Sequence, residues 1–304
     1  MRIFNHTRLT NEEVFMGYVG IVVLFVMVFG GFAIAGGSFT VIIASTPIEM
    51  MIIGGAALGA YIIANPTKVI KAGFKLSLHA MTAKGPQKKD YQDLLMVLFM
   101  LFQAFRKEGP QGVEKHIEDP KSSDIFNAYP SVKKHHHAIP FLCDTMKMIL
   151  STDLSSYDVE DLMENDYKAI HAEEHLAQHA VQMVADGFPG LGIVAAVLGI
   201  VKTMAHLTEG NEKIGRLVAG ALVGTMLGVF CAYGLIGPTA TKIGNDIEAD
   251  GRYLSCIKAA VVALQRGSPP LVCIEYARRS IMPEERPSFD EVDKETKNLK
   301  KAAA

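Results

Sequence analysis

The sequence predicts an all-α membrane protein with four transmembrane helices, a large helical cytoplasmic domain between the second and the third, and long helices that extend into the cytosol. Four apolar spans come in two pairs: Val14–Ala35, Thr46–Ala64, Val184–Met204 and Ile214–Pro238. Each is long enough, or nearly so, to cross a hydrocarbon core of about 30 Å as a helix. Hydrophobic residues make up 49% of the chain and charged residues 20%. That balance fits neither an ordinary soluble domain nor a chain wholly inside a membrane.

The basic residues beside the spans predict the orientation, because lysine and arginine collect on the cytoplasmic side. The loop Gly36–Ser45 has no charge. A run of lysines without an acidic residue follows the second span: Lys68, Lys71, Lys75, Lys84, Lys88 and Lys89. The long middle region and both termini are therefore predicted to face the cytoplasm. The predicted segments are a leader (1–13), spans one and two (14–64), a cytoplasmic helical domain (65–183), spans three and four (184–238) and a C-terminal helix and tail (239–304).

Composition excludes several function classes. The net charge of -2 gives no indication of nucleic-acid binding. No cleavable signal peptide is apparent, since the first apolar run is too long for one. No pair of the four cysteines has CxxC spacing, so they are predicted to be reduced thiols in helices: Cys143, Cys231, Cys256 and Cys273. No enzymatic activity, bound metal or cofactor is expected.

The polar region is predicted to be helical. Tyr91–Arg106 is strongly apolar and ends at Gly109-Pro110, and its core is too short to span a membrane, so it should pack against other cytoplasmic helices. Val159–His179 runs into the third span without a strong break, and Thr241–Leu264 continues the fourth. The tail is charged, and we expect it to be mobile beyond Phe289.

No acidic residue is expected at membrane depth in the four spans. Ion carriers usually keep a carboxylate or histidine inside the bilayer, because something must hold the ion there. The sequence therefore suggests one subunit of an ion-conducting complex, in which a partner protein supplies the titrating residue.

Two prolines and one threonine are the candidate residues in the second pair of spans. Pro189 and Pro238 each remove a backbone N–H, and Pro238 should free the carbonyl of Gly234. Both also fit a plain packing kink. Ala196 follows Pro189 by seven residues and so shares its helix face. Thr225 can bond the i−4 carbonyl of its own helix, or offer its hydroxyl to a partner or a water.

Small residues in these spans predict close helix packing. Gly220, Gly224 and Gly228 recur every four residues and form one ridge of the fourth span. Such ridges let helices approach closely in lipid.

Two histidine groups have spacings that resemble metal sites, namely His135-His136-His137 and the i, i+4, i+8 set His171, His175 and His179. Neither has a convincing carboxylate or cysteine partner, so solvated cytoplasmic histidines are the favoured interpretation. Arg106 and Glu114 flank the Gly-Pro turn, and in isolation they are an exposed surface pair.

Several motifs, in order and with matching spacing over nearly the whole chain, resemble the MotA flagellar stator subunits of the MotA/TolQ/ExbB proton-channel superfamily. They are Ile117–Pro120, Ile125-Phe126, Tyr129-Pro130, Asp186–Gly199, Val223–Gly228, Ala232–Pro238 and Glu285–Phe289.

The resemblance implies five copies of this chain around two copies of MotB, a single-span protein anchored to peptidoglycan, in the bacterial inner membrane. A MotB aspartate would take up and release the ion. Pro189 and Pro238 match the prolines tied to ion flow and torque, and Thr225 matches a pore-facing threonine. Arg106 and Glu114 match the charges that engage the rotor protein FliG.

The resemblance also bears on the ion. Sodium-driven relatives usually have threonine where this chain has Ala196, and alanine offers no oxygen ligand to a hard cation. Protons are therefore the predicted transported ion. The alternative within the superfamily is an ExbB- or TolQ-like energiser of outer-membrane processes, which usually has three spans. A standalone secondary transporter would need its own intramembrane binding residues and typically internal repeats, and a purely structural scaffold leaves the prolines unexplained.

Overall fold

The computed structural model describes residues 6–80 and 85–302, and it contains helices and loops but no strand in those ranges. The first five residues of the predicted leader, and Lys84 of the lysine run, lie outside the described residues. The described chain divides into two compact units. Residues 6–80 and 174–245 form a membrane unit, and residues 85–173 and 246–302 form an extramembrane unit.

The membrane unit begins with two helical spans. The first comprises α1 (His6–Phe25), a π-helical turn (Val26–Gly30) and α2 (Gly31–Ile34), and the second is α3 (Phe39–Ala64). The shorter α4 (Thr67–Ala80) follows. The second pair comprises the later part of α9 (Ser156–Met204), α10 (Asn211–Cys231), a second π-helical turn (Ala232–Ile236) and the start of α11 (Gly237–Gln265). Within residues 6–80 and 85–302, four helices are thus long and apolar enough to cross a membrane, which confirms the predicted four spans.

The extramembrane unit consists of shorter helices and the remaining parts of α9 and α11. Its own elements are α5 (Lys88–Glu108), α6 (Pro110–Glu118), α7 (Asp124–Ala128), a 3-10 turn (Val132–Lys134), α8 (Ala138–Ser151), α12 (Pro270–Ser280) and α13 (Phe289–Ala302). Both α9, with 49 residues, and α11, with 29, extend beyond their apolar parts, as predicted.

The core of the extramembrane unit is built on α5. The segment Leu94–Phe102 is almost wholly buried, and it packs with residues of α8, α11 and α12. At about 1.5–3 kcal/mol for each large apolar side chain, this burial holds the unit together. The prediction that this apolar run packs among helices and does not span a membrane is confirmed.

A positive φ at Gly109 ends α5 and sets the direction of α6. Its φ of 69° lies in the region that residues with a Cβ rarely adopt. Pro110 then begins α6 at its first position, where a missing N–H costs nothing.

The expectation of a mobile tail beyond Phe289 is wrong. Residues 289–302 form α13, in which Val292 and Thr296 are buried. The Lys88 ammonium lies 2.8 Å from the Glu291 carboxylate, and Gln92 donates a hydrogen bond to Glu295. Because most residues of the tail are charged, its sequence pattern is typical of a solvated segment. The few side chains that pack on α5 do not change that pattern.

Candidate functional site

Glycines bring α9 and α10 into backbone contact in the membrane unit. A Cβ added at Gly228 would lie 2.8 Å from the carbonyl oxygen of Phe188 and 2.9 Å from the Cα of Gly192. A Cβ added at Gly199 would lie 2.5 Å from the Cβ of Ala221. Backbones this close leave no room for larger side chains, so the predicted small-residue packing is confirmed.

The same ridge has a second side that faces α3. A Cβ at Gly220 would lie 2.8 Å from the hydroxyl of Ser45, and one at Gly224 would lie 2.6 Å from the Oε2 of Glu49. Ser45 and Glu49 are four residues apart and so lie on one face of α3. The ridge therefore holds α10 between two neighbouring helices, α3 and α9.

Pro189 and Ala196 lie in the membrane part of α9, and both are partly exposed in the single chain. The helix continues through Pro189 without interruption. Because proline has no N–H, the carbonyl of Ala185 loses its bond from within the helix. The two residues are seven apart and share a face, as predicted.

Pro238 is the second residue of α11 and is exposed. It follows directly on the π-helical turn Ala232–Ile236, which contains Gly234. The predicted loss of the bond to the Gly234 carbonyl thus coincides with a widened turn. The helix does not end here but runs on to Gln265.

Thr225 lies on α10 beside the glycine contact and is partly exposed. Other threonines of these spans donate to the i−4 carbonyl, at 2.7 Å for Thr46 and 2.8 Å for Thr203. Within the described ranges no such bond involves Thr225. Its hydroxyl is therefore available for a partner or a water, which was the second of the two predicted alternatives.

The expectation that the spans carry no acidic residue at membrane depth is wrong. Glu49 lies within the second span, and its side chain is only 7% exposed. Its Oε2 has no hydrogen-bond partner in the described chain. Position 49 lies inside the predicted span Thr46–Ala64, so the sequence itself places a carboxylate there.

Arg106 and Glu114 lie in the extramembrane unit on successive helices, and both are exposed. The Arg106 guanidinium donates hydrogen bonds to the carbonyls of Gly267 and, at 3.1 Å, Ser268. These carbonyls follow the end of α11 and need donors. Arg106 thus has a structural role that the sequence did not indicate.

Histidines of the two predicted groups make specific contacts in the extramembrane unit. His135 stacks on Tyr253 at 4.1 Å, and its Nδ1 lies 3.0 Å from the Asp250 carboxylate. His171 stacks on Tyr167, and its Nε2 lies 3.3 Å from Glu248. The expectation that neither group has a carboxylate partner, and the interpretation of both groups as merely solvated, are therefore wrong for these two residues.

Comparisons with known proteins find the same group of relatives over nearly the whole length of this chain. Residues 18–109 match the family described as motility protein A N-terminal, and residues 133–253 match the MotA/TolQ/ExbB proton channel family. Motility protein A of Salmonella typhimurium is 32% identical over 93% of this chain and 95% of its own. The Escherichia coli protein of that name is 31% identical over the same shares.

The chain belongs to the motility protein A family. A further relative is the chemotaxis protein LafT of Vibrio parahaemolyticus, 34% identical over 91% of this chain and 96% of its own. The wider group is a proton channel family and not a class of enzymes.

Two solved structures share the fold of this family member. The C. jejuni MotAB structure aligns with a TM-score of 0.72 at 18% identity, covering 90% of this chain and 98% of that one. The flagellar MotAB stator complex of Bacillus subtilis aligns with a TM-score of 0.65 at 24% identity, covering 85% and 92%. The predicted all-α membrane fold is thereby confirmed.

The sequence analysis of this family member did not identify the polar and kinking residues inside α3 or the contact of Arg106 with the end of α11. Glu49 and Pro47 both lie inside α3, and a search of every span for charged residues and prolines would have found them. The bonds from Arg106 to the end of α11 join residues far apart in the chain, and no local pattern signals them.

Proposed function

We propose that this chain is the stator subunit of the bacterial flagellar motor, which forms a proton channel with MotB and converts ion flow into torque on the rotor protein FliG. The observation that carries the proposal is similarity to motility protein A over nearly the full length of the chain and of its relatives. The four spans also favour this function over an ExbB- or TolQ-like energiser.

In the proposed assembly, five copies surround two copies of MotB in the bacterial inner membrane. The large middle region and both termini face the cytoplasm, as the lysines after α3 indicate. The spans carry exposed apolar side chains in the single chain. Among them are Met27, Ile63 and Leu222, which are 71%, 88% and 62% exposed in the single chain. Lipid, MotB and neighbouring copies would cover them.

In the proposed mechanism, a proton neutralises the MotB aspartate and so changes its contact with the face formed by Pro189, Ala196 and Thr225. A charged carboxylate is far more costly in the membrane than a protonated one. That difference biases a two-state arrangement of the ring around MotB. Rotation of the ring then carries Arg106 and Glu114 past the charged surface of FliG. Ala196 supplies no oxygen, which favours protons over sodium.

The test is deletion of the gene followed by complementation, with filaments counted by electron microscopy and swimming tracked in the same cells. Wild type should restore swimming to paralysed, flagellated cells, and Pro189→Ala should not, although its membrane level stays normal. Gly187→Ala is the matched control, because a Cβ there meets nothing within 4 Å. Normal swimming of the deletion strain, or of the Pro189 variant, would contradict the proposal.

The rotor contact is tested in the same complementation. Glu114→Lys tests the contact with the rotor without a known structural side effect. A change at Arg106 would also leave the carbonyls at the end of α11 without donors. We expect Glu114→Lys to reduce torque while Glu118→Lys, at another exposed position of α6, leaves it near normal. Equal torque in the two variants would remove Glu114 from the proposed contact.

A further inference from the structure

The buried carboxyl group of Glu49 lies deep in the membrane unit. It lies ten residues, or about 15 Å along the helix axis, from the start of the 26-residue helix α3. No other carboxylate among the described residues is buried. A carboxylate at such a depth is costly and marks a functional site by default.

The carboxyl group lies close to Gly224 of α10 and Ala195 of α9. Oε2 lies 2.6 Å, and Cδ 3.3 Å, from the point that a Cβ on Gly224 would occupy, and Ala195 of α9 lies 3.2 Å from the same point. The missing side chain of Gly224 therefore makes the space for this group. Oε2 has no hydrogen-bond partner in the described chain. If the group is ionised, this oxygen has lost its water without gaining a donor.

Charged groups of the neighbouring helices do not compensate it at close range. Lys202 of α9 acts on Glu49 through its charge. Near the start of α10, Arg216 pairs with Glu212, and Lys213 pairs with Glu209. The lysines of α4 follow the other end of α3. Among the described residues none forms an ion pair with Glu49, so binding a proton is the way in which its charge would be removed.

The backbone beside Glu49 is also weakened. Pro47 lies inside α3 and has no N–H for the carbonyl of Ile43. The helix can therefore adjust two residues before the carboxyl group, which is where loss of a proton would demand water or a new donor.

We propose that Glu49 is a proton-binding site contributed by this chain itself, one in each copy, which binds and releases a proton during the ion-driven cycle. Uptake forms an O–H bond on Oε2 and breaks one on the donor, a hydronium ion or a protonated carboxylic acid, and no electron is exchanged. The protonated group fits dry against Gly224, whereas the ionised group admits water between α3 and α10. The inference rests on the proposed ion-driven function.

The wild-type complex in lipid vesicles gives the first test. Dicyclohexylcarbodiimide reacts with protonated carboxylic acids in apolar surroundings, and mass spectrometry of peptides measures the adduct on Glu49. We expect labelling that decreases as the pH is raised. Labelling that is the same at every pH, or none at any pH, would mean that the group does not titrate and would overturn the proposal.

Variants in motile cells and in vesicles give the second test. Glu49→Gln keeps the shape and removes the titration, so proton conductance and swimming speed should fall about tenfold or more, as expected for loss of a positioned proton-transfer group. Glu49→Asp should restore part of both. Ser45→Ala is the matched control, since Ser45 packs on the same ridge at Gly220 without a titratable group.

The outcomes separate this inference from the proposed function. If Glu49→Gln swims like wild type while Pro189→Ala is paralysed, the stator function stands and the proton site is wrong. If the wild-type gene fails to restore swimming to the deletion strain, the stator function is wrong whatever the labelling shows. If Glu49→Gln does not assemble, the pH dependence of labelling in the wild-type protein decides.

Discussion

The membrane unit and the extramembrane unit use hydrophobic residues in opposite ways. In the extramembrane unit the apolar segment Leu94–Phe102 is buried, whereas in the membrane unit Ile34 and Ile63 are about nine-tenths exposed. Water drives the first arrangement, because apolar surface removed from water stabilises the fold. In lipid that driving force between helices is missing, so packing relies on small residues and close backbones. One chain therefore contains two kinds of core, and we expect different substitutions to destabilise each of them.

A cavity in the extramembrane core should have the largest effect. Phe102 is fully buried, so Phe102→Ala should lower the free energy of unfolding by about 3–5 kcal/mol. Ile63→Ala, at an exposed position of the membrane unit, should change it by less than about 0.5 kcal/mol. Thermal unfolding of the full chain in detergent, followed by near-ultraviolet circular dichroism, to which Tyr91 and Tyr253 of this core contribute, measures both. Equal losses would mean that the two units do not differ in this way.

Added volume, not removed volume, should damage the membrane unit. Gly228→Ala would place a Cβ 2.8 Å from the backbone oxygen of Phe188, which cannot move aside as a flexible side chain can. We expect a cost of about 1–3 kcal/mol and loss of swimming. Gly215→Ala on the same helix meets nothing within 4 Å and should behave as wild type. The melting temperature of the purified complex and swimming speed provide the measurements, and a harmless Gly228→Ala would contradict close packing of α9 on α10.

Acid should act on the extramembrane unit through Glu275, which contributes the smallest of the three effects. Hydrogen bonds from Arg278, and then from Arg279, lower the pKa of Glu275 from 4.5 to about 2. A carboxyl group whose folded pKa is depressed stabilises the fold above its unfolded pKa, and the contribution is lost as the pH falls from about 4.5 to about 2. Allowing for solvent screening, we expect a loss of about 1–2 kcal/mol.

The control for this effect removes a carboxylate that forms no ion pair with Arg278 or Arg279. Glu275→Gln should lack that part of the acid dependence of the melting temperature, whereas Glu284→Gln, at an exposed position nearby, should keep it. If both variants lose stability in acid just as wild type does, the Glu275 pairs are not its source.

The sequence by itself determined the four spans, the helical nature of the polar region and the glycine ridge of the fourth span. These follow from local composition and periodicity, since a span needs only length and apolarity and a ridge only spacing. The motifs around Pro189, Thr225 and Pro238 also sufficed to indicate the family. The carboxylate at position 49 was equally visible in the sequence, although its burial was not.

Only the tertiary structure decided which face of each helix meets which neighbour. It places Glu49 against Gly224, ties Arg106 to the end of α11, and packs Val292 of the charged tail into the extramembrane unit. These partners are far apart in the chain, and composition alone predicted solvent around the last two. Contact between distant segments depends on how whole helices pack, and no local pattern records it.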